Sequence, residues 1–132
     1  MTNGELDTDT GKITGSGYIV DEPGAKIRYD VQAADADNKV QFVLRATNNI
    51  TWWKALHVFV WVNGNWVGSK RIETKDRNKE SSIDFLESEM TREFQLQFWK
   101  AGAFGIGALA TTLIIDSYAN KGQRITFTWE RD

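Results

Sequence analysis

Apolar and polar residues alternate with a period of two along most of the chain, which predicts β-strands rather than helices. Four runs alternate most regularly, and their apolar positions are Ile27, Tyr29 and Val31; Val40, Phe42 and Leu44; Phe94, Leu96 and Phe98; and Ile125, Phe127 and Trp129. Clusters of turn-forming residues separate the runs, as at 33–38 and 120–122. We expect the two runs on either side of 33–38 to pair as a hairpin.

About eight such strands and no convincing long helix predict an all-β fold, an antiparallel β-sandwich of the immunoglobulin- or fibronectin-III-like kind. The chain has 132 residues, a length typical of one domain. Residues 1–16 are rich in Gly, Thr and Asp. We therefore expect a flexible N-terminal arm over 1–16, followed by a single sandwich domain over 17–132.

A two-residue turn signal, Asn63-Gly64, lies between two strand-like runs. Asn-Gly favours a type I′ turn, because both residues tolerate a positive φ, and that turn closes β-hairpins. In this register Trp61 faces Trp66 and Val60 faces Val67. The predicted inward positions are Leu56, Val58, Val60, Val62 and Val67, which leaves His57, Phe59, Trp61 and Trp66 on the opposite face. A strand that is apolar on both sides is covered twice or binds something.

The Trp61–Trp66 pair is the best candidate for a ligand site. Indole faces stack on the C–H faces of sugar rings, while nearby polar side chains bind the hydroxyls. The candidate ligand-binding residues are Trp61, Trp66, Asn63, Asn65, His57, Lys70 and Trp53, the last because Trp52 and Trp53 cannot both point into one core. An alternative stays open, in which the pair is buried under the second sheet or only stabilises the hairpin.

Composition excludes several classes of function. The net charge of −2 gives no general attraction to nucleic acid. The chain contains no cysteine, which excludes disulfides and thiolate metal sites. The polar N-terminus lacks the apolar core of a signal peptide. We therefore expect a soluble protein that is cytoplasmic or exported by a non-classical route, with no cofactor and no metal.

Candidate catalytic groups are weak, and we predict a non-enzymatic protein. His57 is the only histidine, and its possible nucleophiles, Ser69 and Ser81, lack a Gly-x-Ser-x-Gly motif. Two short acidic runs, 7–9 and 35–38, supply oxygen donors but lack the pattern of an EF-hand loop. The carboxylates of Asp84, Glu87, Glu89 and Glu93 could form a glycosidase pair, although nothing in their spacing fixes a separation.

Residues 101–115 form an uncharged segment that is rich in glycine. It is too short to span a bilayer as a helix, but it could enter a membrane interface through Phe104, Ile106 and Leu109. A membrane-active, cytolysin-like sandwich is therefore the alternative function. The simpler structural interpretation is a Gly-rich loop that leads into a buried strand. A third possibility is a small β-barrel that holds an apolar ligand in an aromatic interior.

The segment 58–68, Val-Phe-Val-Trp-Val-Asn-Gly-Asn-Trp-Val-Gly, is followed by Ile-Asp-Phe-Leu-Glu at 83–87 and by a closing Phe-Thr-Trp at 127–129. These motifs resemble the fungal immunomodulatory proteins. The resemblance implies a fibronectin-III-like sandwich that binds glycans or glycoproteins and assembles as a homo-oligomer. The N-terminal region departs from that family, because it is acidic and Gly-rich instead of an amphipathic dimerisation helix. The leading expectation is a lectin-like module.

Overall fold

Two β-sheets pack face to face in the computed structural model, which describes residues 5–22, 25–47, 54–76, 79–102 and 105–130. The strands are β1 (Glu5–Asp7), β2 (Lys12–Thr14), β3 (Ser16–Glu22), β4 (Ala25–Ala33), β5 (Lys39–Ala46), β6 (Ala55–Val62), β7 (Asn65–Glu73), β8 (Ser81–Leu86), β9 (Phe94–Gly102), β10 (Gly105–Ile115) and β11 (Gln123–Glu130). Two short 3₁₀ turns, Thr74–Asp76 and Glu87–Glu89, are the helical elements within these ranges. The all-β sandwich is therefore confirmed.

One sheet has five strands in the order β3-β4-β11-β5-β8, and the other has four in the order β10-β9-β6-β7. Pairing is antiparallel except between β11 and β5, which run parallel. The expected hairpin of β4 with β5 is wrong, because β11 lies between them. Gly122, just before β11, forms hydrogen bonds to both sides: its N–H donates to the Lys39 carbonyl, and its own carbonyl accepts from Ala34 N–H. The apolar side chains of β11 gain complete burial at this central position.

The core lies between the sheets and contains the predicted alternating positions. Val40, Phe42 and Leu44 are buried on β5, and Phe94, Leu96 and Phe98 on β9. Ile27 and Tyr29 of β4 are buried, with Val31 half-buried, and Ile125, Phe127 and Trp129 of β11 are buried. Phe98 meets Phe127 edge to face, with ring centroids 4.8 Å apart, so aromatic contacts join the two sheets.

The described part of the N-terminal segment is ordered, in contrast to the expected flexible arm over 1–16. Strands β1 and β2 pair as a hairpin, and Ile13 is fully buried in the core. Asn120 fixes this hairpin: its Oδ1 accepts from Ile13 N–H at 3.0 Å, and its Nδ2 donates to the Gly11 carbonyl at 2.8 Å. A buried Ile, together with a satisfied buried amide, outweighs the local preference of this polar segment for turns.

Candidate functional site

The hairpin of β6 and β7 places aromatic side chains on the outer face of the four-stranded sheet. Asn63 and Gly64 have φ of 50° and 80°, as a type I′ turn requires. Trp61 lies opposite Trp66 and Val62 opposite Asn65, so these predicted pairs are confirmed. Leu56, Val58 and Val60 are buried, which leaves His57, Phe59 and Trp61 on the outer face.

A β-bulge at Val67 changes the rest of the register. Val60 lies opposite Gly68 instead of Val67, so the predicted Val60–Val67 pair is wrong and Val67 is exposed. A Cβ at position 68 would lie 2.4 Å from Ile83 Cδ1. The inner face is therefore closely packed at Gly68, and the bulge leaves Val67 as the extra residue.

The bulge also changes which basic residue lies opposite His57. An unbroken register would place Lys70 opposite His57, on the same face as Trp61. Lys70 instead lies opposite the inward position of Val58, and Arg71 lies opposite His57. By alternation, Lys70 therefore does not share the outer face with Trp61. Arg71 is held on the outer face, because its Nε donates to Glu73 Oε1 at 2.8 Å.

A shallow groove of about 290 Å³ lies on this outer face, lined by Phe59, Trp61, Gln97, Trp99 and Ile106. We call it the aromatic groove. Three neighbouring strands build it, since Phe59 lies opposite Gln97 across β6 and β9 and Ile106 comes from β10. Trp99 Nε1 donates to Gln97 Oε1 at 3.2 Å, which orients the amide beside the rings. Sequence patterning had not singled out Trp99 or Gln97, because they occupy the polar half of a regularly alternating strand.

The two tryptophans of the original pair differ in exposure. Trp66 is 58% exposed and donates its indole N–H to the Gly68 carbonyl at 3.0 Å. Trp61 is half-buried, and its Nε1 is buried without a hydrogen-bond partner among the described residues. The interpretation that buries both indoles beneath the second sheet is therefore wrong. Trp66 forms an exposed edge, whereas Trp61 forms a wall of the aromatic groove.

His57 extends the aromatic surface. Its ring stacks on Phe59 with centroids 4.5 Å apart and an interplanar angle of 12°. Both ring nitrogens are buried without hydrogen-bond partners within the described ranges. Burial, together with the nearby Arg71 charge, lowers the pKa of His57 below its usual 6.5. The ring is therefore neutral at pH 7 and behaves as part of the apolar face.

The remaining predicted ligand and membrane residues lie at the hairpin turn, on β10 or outside the described residues. Asn63 and Asn65 are exposed at the hairpin turn, beside Trp66. Ile106 and Leu109 are 45% and 47% exposed on β10, which is an edge strand rather than the expected loop and buried strand. Trp53 and Phe104 lie outside the described residues.

None of the candidate catalytic or metal groups forms a site in the part of the chain that the structure describes. His57 makes no hydrogen bond that could activate a nucleophile. The carboxylates engage neighbouring groups instead: Asp84 bonds Lys39, Glu87 bonds Lys121, and Glu89 accepts the Leu86 N–H. These ranges contain no cluster of three potential metal ligands, and no helix in them is long and apolar enough to cross a membrane.

The outer face of the five-stranded sheet carries a larger recess that sequence analysis missed. This polar cleft has a volume of about 620 Å³, and its lining includes Arg28, Asp30, Arg45, Thr126 and Thr128. Its residues are the polar members of alternating strands, which any solvated sheet displays. Only the strand order, which brings β4, β11 and β5 side by side, reveals that they form a recess.

Comparison with known proteins gives no assignment: no protein-family model matches the chain, and no curated protein is significantly similar to it.

Proposed function

We propose that the protein is a non-enzymatic binding module that recognises glycans through the aromatic groove. The observation that carries this proposal is the presence of Phe59, Trp61 and Trp99 in one shallow groove on an outer sheet face. Aromatic faces attract the C–H faces of sugar rings, and a groove of this kind excludes water around them. Trp66, across the hairpin from Trp61, adds an exposed ring at the edge.

Polar groups beside the groove fit the same ligand. The Gln97 amide is oriented by the Trp99 indole N–H and offers N–H donors to sugar hydroxyls. The side chains of Asn63 and Asn65 project from the adjacent turn, where both residues are exposed. The resemblance of 58–87 to the fungal immunomodulatory proteins, which includes this hairpin, also favours glycan binding.

A glycan array with purified protein tests the proposal. We expect a subset of glycans to bind the wild-type chain, and Trp66→Ala and Trp99→Ala to reduce that signal at least tenfold. Tyr118→Ala is the matched control, since Tyr118 is 49% exposed and lies outside the groove. Circular dichroism and urea unfolding verify that each variant folds. The proposal is contradicted if no glycan binds the wild-type chain. It is also contradicted if both tryptophan variants bind as strongly as the wild type.

A second candidate is membrane interaction, and a specific observation favours it. Ile106, Leu109 and Ile114 are each between 45% and 51% exposed on β10, and Leu109 lies opposite Trp99. An apolar edge that adjoins tryptophans is typical of surfaces that enter the headgroup region of a bilayer. Dye release from phosphatidylcholine vesicles, lost in Leu109→Lys but kept in Trp66→Ala, would favour this function over glycan recognition.

The same apolar surface supports assembly. We propose that the protein forms a homo-oligomer in which a second copy covers part of β10. Exposed apolar side chains that lie together usually mark an interaction surface. Light scattering after size exclusion should give a mass above the 15.0 kDa of one chain, and Ile114→Lys should shift the mass toward it. A monomer at all concentrations contradicts this assembly.

A further inference from the structure

The polar cleft contains a row of side chains that strand register places side by side. Thr128 of β11 lies opposite Arg28 of β4 and also opposite Arg45 of β5. Residues opposite each other in neighbouring strands share a sheet face. With strands roughly 4.8 Å apart, the Cα atoms of the two arginines are about 10 Å apart, so two long guanidinium side chains can converge above one threonine hydroxyl.

Carboxylates lie next to this row. Thr126 is opposite Asp30, one pair along from the arginines on the same face, and Glu130 lies on the other side of Thr128. Glu130 Oε1 is buried and has no hydrogen-bond partner among the described residues. Glu130 also lines the cleft, where its carboxylate can accept a hydrogen bond from a ligand hydroxyl.

Other charged residues in and beside the cleft already form ion pairs with one another. Arg124 binds the Glu80 carboxylate, and Lys39 binds both Asp35 and Asp84. Gln41, which is 6% exposed, donates to Asp84 and accepts from the Asp35 N–H. Within the described ranges neither Arg28 nor Arg45 forms an ion pair with a carboxylate. Two guanidinium groups therefore remain available beside a preformed wall.

We propose that the polar cleft is a second binding site, specific for a sugar acid, a polyhydroxylated molecule with one carboxylate. The carboxylate binds between Arg28 and Arg45 above Thr128, because a planar guanidinium matches a carboxylate in two parallel hydrogen bonds. The hydroxyls of the ligand donate to Asp30 and Glu130. This site lies on the opposite sheet from the aromatic groove and does not depend on the function proposed for that groove.

The balance of charge selects this ligand class over other anions. Arg28 and Arg45, which have no ion pair in the described part of the chain, share the cleft with two carboxylates, Asp30 and Glu130. A phosphate or sulfate carries more negative charge and few hydrogen-bond donors, so the carboxylates would repel it. A neutral sugar leaves the guanidinium pair without an anion. A monocarboxylate with hydroxyl groups satisfies both sets of groups at once.

Two-dimensional NMR titration tests this assignment with glucuronate, galacturonate and N-acetylneuraminate as probes, and with glucose, galactose and inorganic phosphate as comparisons. We expect at least one sugar acid to shift the amide signals of 28–30, 45 and 126–130. Its affinity should exceed those of the matching neutral sugar and of phosphate at least tenfold. Signals of Phe59, Trp61 and Trp99 should not move.

Arginine variants make the test specific. Arg28→Gln and Arg45→Gln should each weaken sugar-acid binding at least tenfold, whereas Arg92→Gln, at an exposed residue outside the cleft, should leave it unchanged. Arg45→Lys keeps the charge without the planar fork and should weaken binding by a smaller factor. Equal binding of acid and neutral sugar, tighter binding of phosphate, no shift with any of the three acids, or undiminished binding by both glutamine variants would overturn the proposal.

Discussion

The two outer faces of this sandwich differ in how far their apolar side chains are exposed to water. On the four-stranded sheet, aromatic and aliphatic side chains face outward and Ile114 is 51% exposed. On the five-stranded sheet, the outward residues are mainly charged or hydroxylated, yet Val43, which points outward by alternation on β5, is fully buried. The outer face of the four-stranded sheet therefore exposes apolar side chains to solvent. The outer face of the five-stranded sheet buries Val43 among polar residues.

The difference shows that exposure follows from a side chain's neighbours as much as from its chemistry. Val43 lies on a central strand between β11 and β8, opposite Thr126 on one side and Ser82 on the other. Ile114 lies on an edge strand opposite Gln95, with a neighbouring strand on one side only. The uncovered apolar edge is the surface for which we propose binding, because exposed apolar side chains that lie together often mark an interaction site.

The largest effect is expected where both faces depend on the same core. Phe98 is fully buried and contacts Phe127 of the opposite sheet. Phe98→Ala should lower the free energy of unfolding by about 3–5 kcal/mol, because it leaves a cavity at the contact between the sheets. Urea denaturation followed by tryptophan fluorescence measures this, with Phe98→Leu as the milder comparison. A loss below about 1 kcal/mol would show that the sheets do not depend on this contact.

A matched pair of truncations tests the contrast between the faces directly. Val43→Ala should cost roughly 2 kcal/mol, since two buried methyl groups are lost and a small cavity remains. Ile114→Ala removes more carbon atoms but should cost less than half as much, because Ile114 is 51% exposed and leaves no buried cavity. The measurement is the urea midpoint of each variant at constant m-value. Equal losses would contradict the difference in coverage.

The smallest expected effect is a pH dependence confined to the aromatic face. The pKa of His57 is lowered in the folded protein by burial and by Arg71, so the unfolded chain binds the proton more readily. The stabilising contribution is present above pH 6.5 and is lost as the pH falls below that value. Urea unfolding at pH 7.5 and 5.5 should show a smaller pH-dependent loss in His57→Phe than in the wild type. An identical loss in both proteins would remove His57 as the cause.

Much of the fold and part of the aromatic site could be predicted from local pattern. Alternation identified the inward faces of β4, β5, β9 and β11, and Asn63-Gly64 identified the type I′ turn that places Trp61 opposite Trp66. Both depend on short-range geometry, namely the period of two in a strand and the tolerance of Asn and Gly for positive φ. The glycan-binding function of this face stays a prediction.

What only the tertiary structure decided depends on contacts between residues far apart in sequence. A bulge at Val67 places Arg71, and not Lys70, opposite His57. The insertion of β11 between β4 and β5 brings Arg28 and Arg45 to the two sides of Thr128. The sequence by itself determined which residues alternate and where the chain turns back. Strand order and register determined which polar residues meet, because both depend on partners that no local pattern specifies.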